Sequence, residues 1–174
     1  MEDKVTVKQI SLRWGLIVGL IFIVYGLILQ FLNLDMKTMQ YLGYLNYVIL
    51  IVVFVMAHKA FKEGGDGFMT MGQGIGIGTL IAIISSVISS VFSYLYIKLI
   101  DDSMLGKIKD AQIAELEKRG MDDAQIEQAM EIAGKFTSAE AILVMGIVGL
   151  VFFGFILALI VSLFTKKSNP ALEA

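Results

Sequence analysis

The chain has no cysteine, which excludes a disulfide framework, a thiolate metal site and a cysteine nucleophile. It has one histidine, too few for the usual zinc ligand sets. Charge is scarce: Asp, Glu, Lys and Arg make up 17% of 174 residues, against about 25% in soluble domains. A formal net charge of −2 leaves no basic surface for a polyanion, so nucleic acid is not an expected partner. Apolar residues take the place of the missing charge, at 57% of the chain and a mean hydropathy of +0.78. That balance excludes a disordered chain and an ordinary water-soluble enzyme. The length suits a single domain over residues 1–174.

The apolar residues fall in blocks, and ~20 of them in succession are needed to cross a bilayer core. Four blocks qualify, at about residues 12–34, 41–57, 72–97 and 141–164. Backbone groups inside lipid must bond within their own segment, so each block is read as a helix. The second is the shortest and closes at His58 and Lys59; its one strong polar group, Asn46, is expected to donate a hydrogen bond between helices. Gln30 and Asn33 sit near the end of the first. That first block follows Lys4, Lys8 and Arg13 but exceeds the ~7–15 apolar residues of a signal peptide, so it reads as a retained span.

Orientation follows from basic residues in the short loops. The termini and the 58–70 loop share one side, with Lys4, Lys8, Arg13, Lys59, Lys62, Lys166 and Lys167, whereas Lys37 stands alone in the short loop opposite. Both termini are therefore expected in the cytoplasm. The expected fold class is all-α: an integral membrane bundle of four transmembrane helices, with an extramembrane helical hairpin at 101–140 between spans three and four.

Residues 101–140 have soluble-protein grammar. Asp102 or Ser103 can cap a helix to about Arg119, and Gly120 then takes the left-handed stop position. Asp122 and Gln125 form a capping box for the next helix, with Met121 and Ile126 as its hydrophobic staple. Ile126, Ala129, Met130, Ala133 and Phe136 then share one face. Of these, Ile126, Met130, Ala133 and Phe136 are the candidate partner-docking residues.

Gly74, Gly78, Ala82, Ser86 and Ser90 recur every four residues down span three, with Gly72 and Gly76 at its start and Ser85, Ser89 and Ser93 beside them. The spacing matches neither a dinucleotide fingerprint nor a phosphate loop. It matches close helix packing in lipid, as do Gly15 and Gly19 in span one and Gly154, Ala158 and Ser162 in span four. Serine hydroxyls at such depth are expected to bond back to a carbonyl one turn earlier. No ionisable group lies between the interfaces, which disfavours a proton-coupled carrier. His58 is expected to be an interfacial anchor, and Asp101, Asp102, Asp122 and Asp123 solvated or capping charges.

The run Gly120-Met121-Asp122-Asp123-Ala124-Gln125-Ile126-Glu127-Gln128-Ala129-Met130, with Phe61-Lys62-Glu63-Gly64 and Thr70-Met71-Gly72-Gln73-Gly74-Ile75-Gly76, resembles the family named domain of unknown function 4199. The resemblance extends from Trp14 to Lys167 and implies a four-span protein of the bacterial inner membrane. The family has no assigned activity, so no functional residues follow from it. The expected role is a non-catalytic accessory or scaffold subunit without a cofactor, its hairpin docked on a partner or on the membrane surface. Expected partners are the lipid bilayer and either a second copy or another membrane protein. The alternative is a small oligomeric channel or transporter lined by span three. A lipid-modifying enzyme built on His58, Glu63 and Asp66 ranks third.

Overall fold

Apart from one isolated β-bridge, all regular structure in the computed structural model, which describes residues 5–32 and 34–169, is α-helical. Lys4 and Asn33 lie outside the described residues. Helix α1 (Val7–Phe31) begins several residues before the first apolar block. Thr6 and Gln9 form a reciprocal capping box there, so the polar stretch with Lys8 and Arg13 becomes the first turns of the helix. Asp35 accepts from the Thr38 backbone N–H at 2.9 Å and starts α2 (Met36–Gly43). The chain turns at Tyr44 and continues as α3 (Leu45–Glu63), past His58 and Lys59 to the glycines at 64 and 65. The helix thus runs on beyond residue 57, the expected end of span two: two polar residues do not break a helix whose next turn still buries Phe61.

Thr70 and Gln73 box the start of α4 (Met71–Leu99). Two shorter helices follow, α5 (Ser103–Lys118) and α6 (Asp123–Gly134), and then α7 (Ala139–Thr165). Helices α1, α4 and α7, together with the joined stretch 36–63, are long and apolar enough to cross a membrane. Their outward faces carry large exposed apolar side chains, such as Leu20 and Val24 on α1 and Val144, Val148 and Phe152 on α7.

Helix α4 is flanked by α1 and α7, and α3 packs against all three. The α4–α7 contact is antiparallel and built from small residues in register. A Cβ added to Gly74 would lie 2.6 Å from Ser162 Oγ, one on Gly78 2.6 Å from Ala158 Cβ, one on Gly154 2.5 Å from Ala82 Cβ, and one on Gly146 2.8 Å from Ser90 Oγ. Each step of four along α4 meets a step of four back along α7. The α1–α4 contact is parallel, with Gly15 against Ile84 and Gly19 against Ile88. Phe54, Leu50, Ile77, Ile81 and Val18 fill the centre and are fully buried.

Polar contacts secure both ends of the bundle. At one end the Val5 N–H donates to the Gly64 carbonyl at 3.2 Å, and Met69 and Lys167 exchange backbone bonds of 3.0 and 2.9 Å. The beginning of α1, the α3–α4 loop and the residues after α7 therefore meet at the same end. At the other, Gln30 Nε2 donates to Asp101 Oδ2 at 3.1 Å, and Lys98 Nζ pairs with Glu140 at 2.7 Å.

Candidate functional site

The expected packing residues Gly15, Gly19, Gly74, Gly78, Ala82, Ser86, Gly154 and Ala158 all lie in buried seams, and Ser90 is 9% exposed. Gly72 does not join them and meets nothing within 4 Å. Three serine hydroxyls on α4 bond within the helix: Ser85 donates to Ala82, Ser86 to Ile83 and Ser89 to Ser85. These bonds leave the hydroxyls little demand for water. What α4 presents outward is a different stripe, Leu80, Ile83, Val87, Val91 and Leu95. The expected interhelical bond from Asn46 is absent among the described residues, and its Oδ1 is buried without a partner.

His58 departs furthest from expectation. It is fully buried rather than an interfacial anchor. Nδ1 lies 2.7 Å from Thr165 Oγ1 on α7, and Nε2 lies 3.0 Å from the Gly74 carbonyl on α4. A carbonyl only accepts, so Nε2 carries a proton and donates to it. Lys62 Nζ donates to the Thr165 carbonyl at 2.9 Å, placing a cation at the negative end of the α7 dipole. The signal for this burial was in the sequence: Leu50, Phe54, Ala57 and Phe61 define a helical face, and His58 follows Phe54 by four residues.

The three residues of the enzyme reading do not converge. Both His58 ring nitrogens face Thr165 and Gly74, Glu63 pairs with Lys59 at 3.7 Å on the surface, and Asp66 accepts from the Phe68 N–H at 3.1 Å within its own loop. Among the described residues no three His, Cys, Asp or Glu side chains gather as metal ligands would.

Gly120 adopts a φ of +76° after α5, and Asp122 and Gln125 cap α6 reciprocally at 2.9 and 3.1 Å. Asp102 stands at the N-cap of α5 but makes no side-chain cap bond. Asp101 does that work instead, accepting from the Ser103 N–H at 2.9 Å. With Gln30 on its other oxygen, it is not merely a solvated charge. The bonds from Ser103, and then that from Gln30, hold its carboxyl below the ordinary carboxylate value.

Helices α5 and α6 touch each other, and α5 also touches α2. Met130 and Ala133 line a cavity of about 400 Å³ shared with Ile108, Gln112 and Leu116 of α5 and Met36 of α2. Of the candidate docking residues, Ile126, Met130 and Ala133 are thus half-buried, while Phe136 is 65% exposed. Ile132, absent from the sequence-based set, is 63% exposed and four residues before Phe136.

Comparison with curated proteins and with solved structures found no match. A family model does match, over residues 13–167, and it is described as a protein of unknown function, DUF4199. With most of its length inside that match, and with the apolar helices and the residue 120–130 run already described, the chain belongs to the DUF4199 family.

Proposed function

We propose that this protein is a non-catalytic accessory or scaffold subunit of a bacterial inner membrane, with both termini cytoplasmic and α5 and α6 forming a hairpin outside the bilayer. The observation that carries the reading is the pair Ile132, near the end of α6, and Phe136, two residues beyond that helix, both exposed on a segment that is not a span. Large apolar side chains exposed at the end of an amphipathic helix and just after it cost free energy in water and gain it against a partner surface. The tightly packed seams of α1, α4 and α7 supply a stable platform for that element.

The alternative, an oligomeric channel lined by α4, has less support. Its small-residue face is occupied by α7, and its outward stripe is aliphatic. A photo-cross-linking residue at position 136, activated in native membranes, tests the two. Reproducible capture of one foreign membrane protein, lost on Ile132→Asp, is expected. Capture of the protein's own copies alone would overturn the accessory reading and favour the oligomer.

A further inference from the structure

The α1–α4 contact is close in the half of the bundle nearer the chain termini and opens toward α5 and α6. Added Cβ atoms on Gly15 and Gly19 would lie 2.7 and 3.0 Å from Ile84 and Ile88, yet Gly26, two turns further on, meets nothing within 4 Å. The gap is a cavity of about 240 Å³ whose walls include Phe22, Gly26 and Gln30 of α1 and Ser89, Ser93 and Tyr96 of α4.

Its construction differs from a packing fault in two respects. The Ser89 hydroxyl is committed to the Ser85 carbonyl at 2.8 Å, so at that position the wall offers carbon rather than a polar group in need of a partner. The mouth is spanned by the Gln30–Asp101 bond, which sets the separation of the two helix ends above the closed seam below. Tyr25 adds a fixed flank, donating from its hydroxyl to the Leu42 carbonyl at 2.9 Å and seating α2 beside α1. The slot is therefore preformed.

Position identifies the occupant. From Gln30 to Phe22 a helix descends roughly 12 Å, well into a hydrocarbon core about 30 Å thick. At that depth the surrounding solvent is acyl chain, and a largely apolar slot open to it fills with one. At the mouth Lys98 is engaged with Glu140 at 2.7 Å, whereas Asp101 carries a carboxylate with Lys107 close enough to act on it. Both signs at one mouth suit a zwitterionic headgroup better than a purely anionic one.

We infer that the α1–α4 slot is a lipid site, holding one acyl chain of a zwitterionic phospholipid with its ammonium at Asp101. The full-length protein, in nanodiscs of equal phosphatidylethanolamine and phosphatidylglycerol, is released for native mass spectrometry. One retained phosphatidylethanolamine per chain is expected. Gly26→Phe and Ser93→Leu, which fill the slot from either wall, should each reduce retention about tenfold while helical content and elution stay unchanged. Gly149→Phe, at an open glycine of α7 outside the slot, should retain the lipid, and Asp101→Asn should keep a lipid but lose the headgroup preference. Retention of phosphatidylglycerol as readily as phosphatidylethanolamine, or wild-type retention in both folded slot-filling variants, would overturn the inference.

Discussion

Glycine in this protein has opposite value at different positions, and the neighbour across the seam decides which. Gly78 and Gly154 face Ala158 and Ala82 at distances no real side chain tolerates, whereas Gly149 and Gly26 face open space. Gly78→Leu forces α4 from α7 and should destabilise the folded bundle by roughly 1–3 kcal/mol, the ordinary cost of overpacking. Gly149→Leu should leave stability unchanged, since it adds a lipid-facing side chain without a clash. Thermal unfolding of both variants in the same detergent compares them, and equal midpoints would contradict the seam. His58 illustrates the same dependence on surroundings for a polar group. Buried against Thr165 and Gly74, it joins three helices that no apolar residue could join by hydrogen bonds.

At the scale of the element, what starts every helix but α3 is a short polar side chain, and the α4–α5 junction shows how this couples to pH. Asp101 accepts from the Ser103 N–H and from Gln30, and its carboxyl is held below the ordinary value of 3.8. A lowered pKa means that the contribution is present above the unfolded value and lost as pH falls through the folded one. Amide exchange at the start of α5 should therefore be flat from ~pH 8 to ~pH 5, once corrected for intrinsic rate, and rise below ~pH 4. In Asp101→Asn that rise should disappear. A rise of equal size in the variant would assign the effect to another group. Asp35, lowered chiefly by the Thr38 hydroxyl, places a second acid-sensitive cap at the start of α2.

For the whole molecule, the polar clamps at the two ends predict a topology that can be read by chemistry. Residues following α3 and residues following α7 are tied together by the Met69–Lys167 bridge, and α5 and α6 lie beyond the opposite ends of α4 and α7. In the cysteine-free background, Asp66→Cys and Ser168→Cys should react with an impermeant thiol reagent from the same membrane face. Gln128→Cys should react from the other. Labelling of all three from one face would contradict four crossings.

Much of this was legible without coordinates. Blocks of apolar residues near bilayer length can only be helices in lipid, because no other open segment satisfies its own backbone. The Gly120 stop and the Asp122–Gln125 box depend on neighbours three or four residues away, and both formed as read. The small-residue period was likewise visible, although not which partner each residue would meet. Chain-local chemistry therefore determined the helices, most of their caps and the existence of packing faces. Pairing was decided in three dimensions: Gly78 with Ala158 but Gly26 with nothing, His58 with two other helices, Asp101 with Gln30. Those partners lie 16 to 107 residues apart wherever a hydrogen bond joins them, and their meeting depends on how the helices cross. No periodicity along one chain segment encodes that crossing, because it is set jointly by the side chains of both.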